Sequence, residues 1–140
     1  DIREYEKSGD DFVKRDTSTV QQEIQTKLST INDKSKNNVK YFPAPNWTLE
    51  YALFKSASLS TVFQNAVKAI HRGTDWNTDF EKTLATKLIN QSLRKTDIAY
   101  YIANAIDEDM SKENRTIQNV EDENDTINYL VKAIKYATTN

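Results

Sequence analysis

From Thr48 to the end of the chain, every apolar stripe recurs at helical spacing, and this constrains the fold more than any other feature of the sequence. Leu49, Ala52 and Leu53 begin the series, in a helix running from Thr48 to about Ser56. Leu59, Val62, Phe63, Ala66 and Ile70 form the next, which stops at Arg72-Gly73, a natural helix end. Phe80, Leu84 and Leu88, with Ile89, follow a start at Asp75 or Thr78, and Ser92 to Arg94 breaks that helix. Lys95-Thr96-Asp97 opens a helix with Ile98, Ile102, Ala105 and Ile106 on one side. The acidic, polar stretch from Asp107 to Asp125 is expected to cross the surface. Asp125 or Thr126 then caps a last helix, whose Ile127, Leu130, Val131, Ile134 and Ala137 are expected to face inward.

The first third is more mixed. Asp1 to Asp11 is polar and irregular and reads as a loop. Thr17 or Ser18 caps a helix carrying Val20, Ile24, Leu28 and Ile31, steps that suit one helical face. Asn32 to Asn38 ends it as a polar turn. Val39-Lys40-Tyr41-Phe42 is short and rich in β-forming residues, so a strand is expected there, followed by Pro43 and Pro45. Loop, helix, strand, helix is an α/β order with too few strands to stand alone. The fold class is therefore mainly α with a short α/β portion. The chain starts at Asp1 without a methionine, and its single methionine is Met110, so it reads as a fragment of something larger.

Composition removes several kinds of chemistry. There is no cysteine, so neither a disulfide framework nor thiol catalysis is open to the chain. A single histidine, His71, excludes a multi-histidine metal site. It falls at a helix C-terminus, where a partly charged imidazole is favourable, and reads as structural. Gly9 and Gly73 are the only glycines, so no glycine-rich phosphate loop is present. Asp107-Glu108-Asp109 and Glu121-Asp122-Glu123 lack the alternation and glycine of a calcium loop and read as solvated faces. The formal net charge is −2, without the basic surplus usual in a nucleic-acid binder. No apolar run approaches the length that spans a bilayer.

Two places carry the elements of a site. In Asn46-Trp47-Thr48-Leu49-Glu50, Thr48 is an N-cap and Glu50 falls in the first helical turn, near the positive end of the helix dipole. An acid and a hydroxyl after a strand end suit a hard divalent ion. A capped helix with a stabilising glutamate explains the same pattern. The second place is Lys95, at the start of a helix, where an ammonium and a backbone N-terminus face an anion together. A surface lysine explains it as well.

Thr48-Leu49-Glu50-Tyr51-Ala52-Leu53, followed through helices by Lys95-Thr96-Asp97-Ile98-Ala99-Tyr100-Tyr101-Ile102-Ala103, resembles the C-terminal part of the OLD-family (overcoming lysogenization defect) nucleases. These are ATPase–Toprim proteins with relatives in bacterial anti-phage systems. The resemblance implies a division into residues 1–56, the trailing part of a Toprim α/β fold, and residues 57–140, a helical C-terminal extension. It implies that Glu50 binds a divalent metal with Thr48 close by, and that Asp1 is the second aspartate of an Asp-x-Asp pair sharing that ion. It also implies that Lys95 is the catalytic lysine, contacting the scissile phosphate or steadying transition-state charge, with Lys132 in the last helix as the other candidate. The cofactor implied is Mg²⁺, or Mn²⁺ or Ca²⁺, and ATP enters only through an ATPase domain outside this chain. The partners implied are DNA, the missing ATPase and Toprim core, and a second copy as homodimer, in the bacterial cytoplasm and away from membranes. The function expected is phosphodiester hydrolysis in phage defence or DNA processing. The alternative is a non-catalytic helical interaction or dimerisation module.

Overall fold

A computed structural model of the chain describes residues 2–34, 39–117, 119–120 and 122–139. Asp1 lies outside them. Two strands, β1 (Tyr5–Ser8) and β2 (Asp11–Lys14), are followed by six helices: α1 (Thr17–Lys34), α2 (Leu49–Lys55), α3 (Ser60–Ile70), α4 (Phe80–Ile89), α5 (Lys95–Met110) and α6 (Asn128–Thr139). The chain is thus mainly helical with a small antiparallel sheet. No helix among the described residues is long and apolar enough to cross a membrane.

The sheet is not where the β-forming residues suggested. Val39 to Phe42 forms no strand. Among the described residues no second strand lies beside it; Val39 and Tyr41 are about half exposed, and Phe42 packs instead on the Tyr136 ring of α6 at 5.7 Å. A backbone of β-formers without a partner strand has no ladder to join. The stretch expected to be a loop forms the hairpin. Tyr5 pairs with Lys14 and Ser8 with Asp11, leaving Gly9-Asp10 as a two-residue turn. Gly9 sits at φ 62°, the left-handed value that the first corner of a type II′ turn requires and that glycine adopts freely.

The helices begin on short polar side chains. Asp16, rather than Thr17 or Ser18, caps α1 by accepting the Thr19 amide hydrogen at 2.8 Å. Thr48 caps α2, its hydroxyl accepting the Tyr51 amide at 3.3 Å. Asp79 caps α4 by accepting the Lys82 amide at 2.9 Å, while Asp75 makes a separate turn upstream with Asn77 and Thr78. At the end of α4 the Ser92 amide reaches back to Lys87 and the Gln91 amide to Leu88. This paired closure places Gln91 at φ 54°, where glycine is the usual occupant.

One hydrophobic core joins the hairpin to helices α2 to α5. Tyr51, Phe63, Ala66, Val67, Leu84 and Ala85 are fully buried, and Tyr5 of β1, Trp47, Trp76 and Ile102 close around them. Buried residues on both sides of residue 56 share it. The aromatic rings run as a chain: Trp47 on Tyr51, Tyr51 on Phe54, Phe54 stacked on Phe80, and Phe80 on Trp76, with centroids 4.9 to 6.0 Å apart. Fully burying an aromatic of this size contributes roughly 1.5–3 kcal/mol, and Trp47, Tyr51 and Trp76 of this row are buried.

The polar stretch after α5 is more ordered than a surface crossing requires. Residues Asp107 to Met110 belong to α5, and Asp109 is buried there. Its carboxylate accepts the amides of Thr116 and Ile117 and the Thr116 hydroxyl, which hold its pKa below the usual carboxylate range. Asp125 is buried in turn, accepting from Ser56, Ser58 and Ile127. Helix α6 departs further from expectation. Only Ile127, just before it, is a buried member of its stripe; Leu130 is 38% and Ile134 64% exposed, and Ala137 is exposed too.

Candidate functional site

The two places singled out in the sequence meet. Lys95 Nζ lies 3.1 Å from Glu50 Oε2, across 45 residues of chain. Each partner is placed by its helix start. Glu50 stands in the first turn of α2, fixed by the Thr48 cap, with its side chain only 14% exposed. Lys95 is the first residue of α5 and its side chain is 52% exposed. Thr48, the third residue expected here, has its hydroxyl engaged as the cap acceptor, with a lone pair left over. Tyr129, at the start of α6, lies within electrostatic reach of Glu50. Burial raises its hydroxyl pKa, and the Glu50 carboxylate adds to the rise.

Lys95 and Thr48 also line a cleft of about 540 Å³, with Arg3, Gln91 and Leu93 among its other walls. Arg3 and Lys95 put two cationic side chains in the lining of this cleft, and Lys95 also pairs with Glu50. Two cations so placed can hold an anion. Lys132 is exposed on α6. Asp1 is outside the described residues, so its place relative to Glu50 is not part of this geometry. Among the described residues no three Asp, Glu, His or Cys side chains gather around a common point that could hold a metal.

A second polar centre had no signal in the sequence. Glu81, early in α4, accepts hydrogen bonds from Lys14 of β2 at 2.7 Å, from the Tyr51 hydroxyl at 2.6 Å and from Lys55 at 2.9 Å. Burial alone would raise its pKa; the three donors outweigh it and hold the carboxyl at about 2. The Tyr51 hydroxyl also lies 3.1 Å from Glu4, which Asn46 holds from its other oxygen at 3.0 Å. Burial, then the Glu81 hydrogen bond, push the Tyr51 hydroxyl pKa far up. The partners lie dozens of residues apart, so no local pattern could announce the cluster. It ties the hairpin to α2 and α4.

His71 also differs from its sequence reading. It follows α3, but its ring is not poised to carry charge: Nε2 accepts the Arg94 amide hydrogen at 3.2 Å. Burial first, then Lys87 and Arg94, lower its pKa.

Compared with protein-family models, curated proteins and solved structures, the chain matches none.

Proposed function

We propose that this chain is the C-terminal part of a divalent-metal-dependent DNA endonuclease of the Toprim type, akin to the OLD family, acting in phage defence or DNA processing. One observation carries the reading: the Thr48-capped Glu50 and the helix-opening Lys95, the two motifs of the resemblance, stand 3.1 Å apart beside a cleft that Arg3 also lines.

The donor chemistry fits a hard ion in part. Glu50 offers a carboxylate oxygen of the kind Mg²⁺ prefers, and Thr48 keeps a spare lone pair beside it. The reading takes the remaining carboxylates from Asp1 and from residues preceding this chain. When bound, such an ion supplies Lewis-acid polarisation of the phosphodiester and an activated water. The chain's own residues bind and orient. Glu50 stands in the first turn of the Thr48-capped helix, paired with Lys95. Lys95 and Arg3 face an anion in the cleft, and Lys95, on a long flexible stem, offsets charge that develops on phosphorus.

The test is nicking of supercoiled plasmid by the longest obtainable protein with Mg²⁺ or Mn²⁺, beside Glu50→Ala, Lys95→Ala and Lys132→Ala. Metal-dependent nicking lost in the first two, with the fold intact, supports the reading. Loss in Lys132→Ala and not in Lys95→Ala moves the lysine to α6. No nicking with any metal overturns it.

A second reading, a helical interaction or dimerisation module, draws on the exposed stripe of α6. Leu130 and Ile134 stand in water although their spacing is that of a core face. Sedimentation of wild type against Ile134→Glu tests it: a dimer converted to monomer favours the module, and a monomer in both removes its support.

A further inference from the structure

The start of α5, and with it Lys95, is not held by its own cap. Arg94 occupies the cap position, and its side chain makes no capping hydrogen bond; its guanidinium pairs with Asp97 at 2.7 Å instead. What fixes Arg94 from outside is the imidazole of His71, 23 residues earlier, accepting the Arg94 amide hydrogen on Nε2 at 3.2 Å. His71 is itself held. Its carbonyl accepts from Trp76 Nε1 at 3.2 Å and from the Thr74 amide at 3.1 Å, and its ring stands edge-on to the Trp76 ring at 6.2 Å. The contact therefore joins the end of α3 to the residue immediately before Lys95.

This hydrogen bond exists in one protonation state only. Nε2 accepts while the ring is neutral, with its proton on Nδ1; a second proton makes Nε2 a donor facing the Arg94 donor. The charged groups facing the ring are Lys87 of α4 and Arg94, which oppose protonation, and Asp97, which favours it more weakly. The ring is only partly buried, so a proton can reach it.

We infer that His71 is a positioning residue for Lys95: its neutral imidazole anchors the first turn of α5 and holds the lysine on Glu50, and protonation releases both. The consequence for cleavage rests on the nuclease reading above, whereas the effect on the Lys95–Glu50 pair does not.

The experiment is NMR on the full chain from neutral pH down through and well below the ordinary histidine pKa of 6.5, because burial and its cationic neighbours move the charging of His71 to the acid side. It follows the His71 ring signals together with amide hydrogen exchange at Arg94 to Asp97, corrected for the intrinsic pH dependence of exchange. In wild type, protection there should fall about fivefold to tenfold as His71 protonates, the loss of one hydrogen bond. In His71→Gln an amide oxygen stands where Nε2 stood and does not titrate, so protection should stay high throughout. In His71→Ala it should be low at every pH. Wild-type protection that stays flat while the ring titrates overturns the inference, as does a His71→Gln profile that falls like wild type. If His71→Ala does not fold, wild type against His71→Gln still decides. Plasmid nicking by the longest protein, run alongside, separates the two proposals. Amides that respond in a protein that never nicks leave this inference standing and the nuclease reading fallen; nicking with amides that ignore His71 does the reverse.

Discussion

Two glutamates on neighbouring helix starts, Glu81 and Glu50, both meet lysine, and they do so in opposite styles. Glu81 is saturated. Two lysines and a buried tyrosine hydroxyl converge on it from β2 and α2, and its pKa stands at about 2. Among the described residues Glu50 pairs with one lysine, itself half exposed and lining a cleft. A carboxylate enclosed by three fixed donors is committed to the fold, since any newcomer must displace several bonds at once. A carboxylate with a single flexible partner can exchange it. The fold thus separates a permanent ionic joint from an exchangeable one.

The contrast can be broken or sharpened by substitution. The largest effect is expected from Tyr51→Ala, which opens a cavity in the aromatic row and strips Glu81 of a donor. Urea unfolding should show a loss of roughly 3–5 kcal/mol. Glu81→Gln keeps the shape and removes the charge, and should cost about 1.5–3 kcal/mol, the range for hydrogen bonds to a charged group. Acid should reveal the same joint. The Glu81 pKa is depressed in the folded state, so its stabilisation is complete above the ordinary carboxylate pKa of 4.5 and is lost as pH falls through about 2. Acid titration of the unfolding midpoint should show that decline in wild type and a weaker one in Glu81→Gln. Glu50→Gln should cost only about 0–1 kcal/mol, as expected of a pair with one half-exposed partner. An equal loss at Glu50 and Glu81 would erase the distinction. Smallest is Gln91→Gly, which relieves a left-handed residue and should leave stability unchanged or raise it by up to about 1 kcal/mol in the same unfolding assay.

What was legible in the sequence follows the same division. Helices α2 to α5 could be read because their apolar residues repeat within a few positions, and Thr48 announced its cap from the residue next to the helix. The hairpin was missed because Tyr5, Phe12 and Val13 give too short an alternation, and the turn rests on Gly9 alone. Val39 to Phe42 misled in the opposite way: propensity was present and a partner strand was not. The stripe of α6 had the right period, but period does not say whether a neighbour exists to cover it. Glu50 and Lys95 were singled out by their places at helix starts, before the resemblance gave them roles, and the structure brings them together. Glu81 had no such motif, and its partners come from β2 and α2, so only the folded chain reveals it. His71 was placed correctly at the end of its helix, but the expected partial charge is disfavoured by its burial first and then by Lys87 and Arg94, which approach from further along the chain.

Tyr5 lies in the same core as Ile98 and Ile102. The hairpin is therefore part of what the helices fold around. A recombination event that moved residues 57–140 to another protein would leave Tyr5, Trp47 and Tyr51 behind, and with them the aromatic surface against which α3 and α4 close. The smallest piece of this chain that can be inherited as a working whole includes its first strand.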